Sequence, residues 1–289
     1  MNYQGFYINL DSSLERRKSI EKHLKKINLS SNYQRFRAYS PKPNQDLFGL
    51  RTSGEYGIWL SMLSLLEKLS VEKDKGFVHI IEDDFRFNTK TILRLKEIIS
   101  LQEKNDQDIL FLDYMISLPL LNLINLHIRN KNEFGDKREI FYPARNYYFS
   151  CMSSFLLRRS SIKLLFEILN KVFLNLKLEK KLIPIDMVLK RLLRSEVFKG
   201  SIIVPPLGSP DWDLDNKSTI QSFTSQKLKD SKRVYTLIRC AASGTKSPDF
   251  CALEFAKIVK QNIDKLKITN LEDFYKFVEN NKDKIRHDW

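Results

Sequence analysis

Apolar positions along the chain follow two different periods. Short, nearly unbroken apolar runs of strand length occur at Gly5-Phe6-Tyr7-Ile8-Asn9-Leu10, Phe77-Val78-His79-Ile80-Ile81, Asp108-Ile109-Leu110-Phe111-Leu112-Asp113, Ser153-Ser154-Phe155-Leu156-Leu157 and Ser201-Ile202-Ile203-Val204. Such runs offer no polar face to water and predict strands covered on both sides, as in a parallel sheet. Between them, apolar residues recur every three or four positions. Leu14, Ile20, Leu24 and Ile27 form the first such stripe, with Ser12 and Glu15 spaced as a capping box at its start. Further stripes are Ile58, Leu60, Leu63, Leu66 and Leu69 after Thr52–Gly57; Ile92, Leu95 and Ile98-Ile99 after Asn88 or Thr89; Ile162, Leu165, Phe166, Leu169 and Phe173 after Ser160; and Ile185, Val188, Leu189 and Leu192 after Pro184. Arg35-Phe36-Arg37-Ala38-Tyr39 reads as a short second strand, stopped by Ser40-Pro41-Lys42-Pro43.

Strands and helices therefore alternate, which predicts an α/β fold with a mainly parallel sheet flanked by helices. Residues 114–147 carry no steady period and read as a long loop over a site. From Gln221 onward the pattern is helical, with starts at Ser247-Pro248 and Thr269-Asn270. The expected organisation is a main domain over residues 1–220 and a C-terminal helical subdomain over 221–289.

One stretch carries chemistry. The apolar run Phe77–Ile81 ends in three consecutive carboxylates, Glu82-Asp83-Asp84. In open α/β sheets ligands bind at the carboxyl ends of strands. Three groups of charge about −1 each repel one another there unless a cation offsets them. A hard divalent ion such as Mg2+ or Mn2+ suits oxygen donors, and such ions use one or two carboxylates and complete their shell with water and phosphate. The competing reading is a solvated acidic turn.

Charge and cysteine content narrow the classes. The 289 residues carry a formal net charge of +14, which favours an anionic partner. No basic run is interleaved with stacking aromatics on a recognisable module, so nucleic acid is not expected. Between Arg158 and Lys199 eleven Lys or Arg face four acids, and this interval holds about half of the net charge. It suggests a basic face for an anionic membrane or substrate, set against an ordinary solvated helix face. Cys151, Cys240 and Cys251 are odd in number and far apart, which argues against a disulfide framework or a structural zinc site. The first dozen residues include Asp11 and lack a signal-peptide core, and no apolar run reaches the ~20 residues of a membrane helix. A cytoplasmic protein, peripheral on the inner face of the plasma membrane, is the expectation.

Several short segments together resemble glycosyltransferase family 25, whose bacterial members build lipooligosaccharide. They are Tyr7-Ile8-Asn9-Leu10-Asp11 with Glu15-Arg16-Arg17, Phe36-Arg37-Ala38-Tyr39, Gly54-Glu55-Tyr56-Gly57 with Leu60-Ser61, and Glu82-Asp83-Asp84 in place of the family's Asp-x-Asp-type motif. Weaker matches are Pro184-Ile185-Asp186 and Pro205-Pro206-Leu207 through Ser218-Thr219-Ile220. Order and spacing make the likeness; no single segment does. Ile58 and Met62 stand where the family usually has Cys and His.

The resemblance implies a GT-A fold and an inverting transfer of a hexose, galactose from UDP-galactose, onto a lipooligosaccharide or other surface-glycan acceptor. It assigns Glu82 and Asp84 to a Mn2+ or Mg2+ ion bridging the donor diphosphate, with Asp83 between them in a structural role. It suggests Asn9, Asp11, Arg17 and Glu55 for the nucleotide pocket. Asp186 is the chosen general base, with Asp113, Asp211 and Asp213 as competitors. The departures at 58 and 62 keep open a catalytically silent homologue that binds glycans or assembles a complex. His79 reads as a satisfied core residue; His23, His127 and His287 read as exposed and uninvolved.

Overall fold

A computed structural model describes residues 3–72, 75–89, 95–117, 120, 123–124, 140–215 and 226–266. The chain forms two units, residues 1–247 and 248–289.

In the first unit the apolar runs pair into a seven-stranded sheet. Its strands are β1 (Tyr3–Asn9), β2 (Tyr33–Arg37), β3 (Phe77–Glu82), β5 (Ile109–Asp113), β6 (Ile140–Pro143), β7 (Ser154–Arg158) and β8 (Gly200–Val204), in the order β2-β1-β3-β7-β5-β8-β6. Strands β1, β2, β3, β5 and β8 share one direction; β7 and β6 run against them. A separate two-stranded ribbon joins β4 (Phe85–Phe87) to β9 (Gly208–Pro210). The arrangement is mixed α/β and GT-A-like, as the resemblance implied.

Alternation along the central strands explains why they are apolar throughout. Val78 and Ile80 of β3, Ile109 and Phe111 of β5 and Phe155 and Leu157 of β7 belong to one core, with Trp59, Leu65 and Leu66 of α2 (Ser53–Ser70) and Ile162, Leu165 and Leu169 of the helix Arg159–Leu178. Phe77, Ile81, Leu110, Leu112 and Leu156 point the other way and pack with Ile20 and Leu24 of α1 (Leu14–Lys26) and Ile98 and Ile99 of α3 (Leu95–Lys104). Both faces are covered, so neither face has a polar side. Each such side chain contributes about 1.5–3 kcal/mol on burial. His79 lies among them and is satisfied, its Nδ1 2.5 Å from the Tyr33 hydroxyl and its Nε2 2.9 Å from Ser154 Oγ.

The remaining helices are α4 (Ala144–Tyr147), α5 (Arg159–Leu178), α6 (Ile185–Arg194), α7 (Trp212–Asp215), α8 (Gln226–Ser243) and α9 (Pro248–Leu266). Helix α9 lies in the second unit, starting at the expected Pro248. Helix α8 packs on β9 within the first unit. The expected helix start at Thr269-Asn270 and the positions His127 and His287 lie outside the described residues.

Three further expectations are corrected. Helix α1 has no capping box at Ser12 and Glu15; its N-cap is Ser13, without a side-chain cap. The box lies instead at α2, where Thr52 Oγ1 accepts from the Glu55 amide at 3.2 Å and Glu55 Oε2 accepts from the Thr52 amide at 3.3 Å. Residues 114–147 are not loop throughout, since they include β6, an edge strand antiparallel to β8. His23 is half-buried, accepting the Phe87 amide on Nε2 at 3.0 Å and stacking on the Phe87 ring.

Gly57 is required by a close approach. A Cβ there would sit 2.9 Å from the Tyr39 carbonyl oxygen, where the chain leaving β2 crosses α2. Ser61 Oγ completes the junction, accepting from the Tyr39 amide at 2.8 Å and donating to the Gly57 carbonyl at 2.6 Å. Met62, beside it, is buried in the core. On the same helix, the Trp59 indole N–H donates to the Ile183 carbonyl at 2.8 Å and so ties α2 to the segment that starts α6.

Candidate functional site

Strand β3 delivers its carboxylates to the carboxyl edge of the sheet. The Glu82 amide donates to the Ser153 carbonyl at 2.9 Å, the last rung before the chain turns at Asp83 and Asp84 into β4. Asp83 is buried, accepting from Asn9 Nδ2 at 2.7 Å and pairing with Arg16 Nε at 3.0 Å. The Arg16 guanidinium also pairs with Asp84 Oδ2 through Nη2. Asp84 Oδ1 is buried and has no hydrogen-bond partner among the described residues. The turn is fixed from behind. The Asp211 amide donates to the Asp84 carbonyl at 2.6 Å, and Arg86 pairs with Asp211 at 3.0 Å while donating to the Phe85 carbonyl at 2.7 Å and Ser19 Oγ at 2.7 Å.

Crowding of acids in a buried place has the expected electrostatic result. Burial, reinforced by the Asp84 charge and opposed by Arg16, pushes the Glu82 carboxyl up to about 8. Burial also raises Asp83, to about 6, with Arg16 pulling it back. Arg239 also opposes the rise at Glu82 and Arg86 that at Asp83, yet burial prevails at both.

The expected nucleotide-pocket residues separate into different roles. Asn9 is buried and fully used: Nδ2 donates to Asp83 and, at 3.2 Å, to the Ser13 carbonyl, while Oδ1 accepts from Arg35 Nε at 3.0 Å. It orients the carboxylates. Asp11 is exposed and held by Arg35 at 2.5 Å and Arg37 at 2.6 Å; the Arg35 hydrogen bond depresses its pKa. Arg17 forms an exposed pair with Glu21 one turn on, at 2.9 Å. Glu55 is engaged by the N-terminus of its own helix, including the Arg51 amide at 2.8 Å.

A second cluster lies along the same edge. Asp113, at the end of β5, is wholly buried and takes Arg239 Nε at 3.0 Å, Arg239 Nη2, Ser153 Oγ at 2.5 Å and the Tyr114 amide at 2.9 Å. Thus neutralised, it has no oxygen to offer as a base. Asp211 is similarly committed to Arg86, and its Oδ1 accepts the Asp213 amide at 3.0 Å. Asp213 is exposed, 3.4 Å from Lys246 Nζ. Asp186, in the first turn of α6, is half-buried and accepts from the Cys151 amide at 3.3 Å. Burial raises its pKa, the Cys151 and Met187 amides opposing. The Tyr148 hydroxyl is raised first by burial and then by the charges of Asp186, Cys151 and Glu82, so Asp186 and Glu82 act on one tyrosine.

Whether the edge suits a divalent cation can be judged from its donors. Glu82 and Asp84 offer oxygen donors of the hard type, and Asp84 Oδ1 is a buried acceptor with no donor among the described residues. Among the described residues no group of three His, Cys, Asp or Glu could enclose an ion. The fit is to an ion held by one or two carboxylates and completed by substrate phosphate and water.

Sequence reasoning missed Arg16, Arg239 and Ser153. Arg16 had a signal: it stands four and eight residues before Ile20 and Leu24, on the buried face of α1. Arg239 had none that apolar periodicity could reveal, since its buried neighbours include Thr236, Cys240 and Ser243. Ser153 is indistinguishable in sequence from Ser154.

Among the described residues no helix is long and apolar enough to cross a membrane. No curated protein matches the chain significantly. The family described as Glycosyltransferase family 25 (LPS biosynthesis protein) matches residues 2–189, a span that holds Asn9, Arg16, the Glu82-Asp83-Asp84 turn and Asp186. The chain belongs to this family and is a glycosyltransferase, acting on a sugar donor and a glycan acceptor in lipopolysaccharide biosynthesis.

Proposed function

We propose that the protein transfers a hexose, galactose from UDP-galactose, onto a lipooligosaccharide or related surface-glycan acceptor, with inversion and with a divalent cation. The observation that carries this reading is Asp84 Oδ1, a buried carboxylate oxygen just past the carboxyl end of β3 with no hydrogen-bond partner among the described residues. A buried acceptor of this kind costs about 1–3 kcal/mol unless something satisfies it. Mn2+ or Mg2+ bound there with the donor diphosphate would stabilise the charge that develops on the leaving nucleoside diphosphate. Arg16 and Asn9 hold Asp83 and Asp84 in place, and Glu82 supplies a second oxygen donor beside them.

Inversion needs a base on the acceptor side. Asp186 is the residue proposed for it: Asp113 and Asp211 are each committed to an arginine and Asp213 is exposed, whereas Asp186 is bound only by amides in the contacts described above. Its raised pKa increases its strength as a base for the acceptor hydroxyl proton. The decisive experiment is turnover of a panel of sugar nucleotides with and without EDTA. Transfer from UDP-galactose that EDTA abolishes is expected; undiminished transfer in EDTA would remove the cation from the mechanism.

The membrane-facing part of the proposal rests on α5. Leu164, Leu174 and Leu178 are 46%, 50% and 85% exposed, on a helix that also carries Lys163, Lys171 and Lys177. Exposed leucines among lysines suit the surface of an anionic bilayer, where a glycolipid acceptor would reside.

A further inference from the structure

The helix that completes the carboxyl edge comes from outside the segment matched by the family. Helix α8 spans Gln226–Ser243 and lies on β9, beyond residue 189. It is locked to the β4–β9 ribbon: Asn88 Nδ2 donates to the Ser243 carbonyl at 2.7 Å, and Ser209 Oγ lies 2.6 Å from Thr245 Oγ1 just past the helix. From this anchored helix Arg239, only 7% exposed, reaches the sheet edge.

Its guanidinium joins the end of β5 to the segment that leads into β7. It pairs with Asp113 at the end of β5 through Nε and Nη2, and Nη2 also lies 2.9 Å from Ser153 Oγ and 3.2 Å from Cys151 Sγ. Ser153 is the residue whose carbonyl receives the Glu82 amide. Cys151 is the residue whose amide supports Asp186, and its backbone has φ +83°, a conformation that needs support from its surroundings. Arg239 therefore stands one residue from the donor-side carboxylate in one direction and one residue from the acceptor-side carboxylate in the other.

We infer that Arg239 is a positioning residue of the transferase site, setting the Glu82 and Asp186 carboxylates relative to each other through Ser153 and Cys151. This deepens the reading of Glu82 and Asp186 given above and rests on it. A guanidinium is suited to the task because its planar fork of donors can hold Asp113, Ser153 and Cys151 at once, whereas an ammonium is a compact point charge. Neutral substitution alone would strand the buried Asp113 charge and risk the fold.

The test uses the full chain and two variants, Arg239→Lys and the double variant Arg239→Met/Asp113→Asn, which leaves no unpaired charge. Both are expected to melt cooperatively near the wild-type temperature. Each is expected to lose about tenfold or more in kcat for transfer, with the donor KM moved less than threefold. A separate readout does not need turnover: amide hydrogen exchange in the peptides covering 81–84 and 150–154 should accelerate at least tenfold in the double variant, with peptides of α2 unchanged. Wild-type kcat in either folded variant, or unchanged exchange in both peptides, overturns the inference. Accelerated exchange with no transfer by the wild-type protein under any donor would place the fault in the assigned reaction and leave the positioning intact.

Discussion

Arg16 and Asp84 are 68 residues apart in the chain and meet as an ion pair in which each side chain is 9% exposed. The same guanidinium reaches Asp83. A single helical residue is thus the main counter-charge for two adjacent buried acids. Removing it by Arg16→Gln should destabilise the protein by about 3 kcal/mol, since two buried carboxylates would then lose their paired cation. Mn2+ should restore more of the melting temperature to this variant than it adds to the wild type. Equal shifts in the two proteins would mean that no cation binds near these acids.

Asp84→Asn removes the charge on the unpartnered oxygen while keeping the shape. Transfer should fall by at least a hundredfold and calorimetric binding of UDP with Mn2+ should weaken, with the far-ultraviolet spectrum unchanged. Wild-type turnover in this variant would refute the assignment of Asp84.

Asp186→Asn separates base from structural cap. A base requires UDP binding to persist and kcat to drop about a hundredfold or more. A cap requires only a loss of about 1 kcal/mol in stability with kcat retained. Full activity in Asp186→Asn would leave inversion without an assigned base.

Acid should weaken the fold through two histidines held neutral. Burial, with the Arg86 and Lys26 charges, lowers His23 to about 4, and burial alone lowers His79 to about 3. A group with a depressed folded pKa is bound by a proton first in the unfolded chain. Stability is therefore fully present above the ordinary value of 6.5 and declines as pH falls from there toward about 4. His23→Gln should flatten this decline by about 1–2 kcal/mol, a figure already reduced for the residue's partial exposure. Urea midpoints between pH 7 and pH 4.5 provide the measurement, and a decline of the same steepness in the variant would exclude His23.

Association with anionic vesicles should depend on α5. Lys171→Glu/Lys177→Glu is expected to reduce sedimentation with phosphatidylglycerol vesicles severalfold at low salt, with little difference at high salt. Equal binding of the native protein to neutral vesicles would argue against the electrostatic part of this reading.

The sheet was legible in sequence because Phe77–Ile81 and Ile109–Leu112 are apolar on both faces, a condition only a doubly covered strand satisfies. The direction of β7 was not, since Phe155-Leu156-Leu157 has the same pattern read either way. The β4–β9 ribbon was missed for its length, three residues on each side. Within the site, the carboxylates were legible from charge crowding. Their partners were legible only where buried spacing exposed them, as for Arg16; net charge does not say which side of a helix faces inward. The Thr-x-x-Glu spacing also marks a local use for Glu55, which the capping box of α2 shows.

The reversal of β7 has a consequence for how such an enzyme can diversify. Strand β5 ends at the rim where β7 begins, Asp113 facing Ser154, while the chain between them also supplies β6 at the far edge of the sheet. A parallel successor would require the chain to be carried back along the whole sheet before pairing again. Here that return is made between β6 and β7, which run the same way, and it is confined to residues 144–153. Changes of chain length between β5 and β6 can be absorbed while strand pairing keeps Glu82, Ser153 and Asp113 side by side.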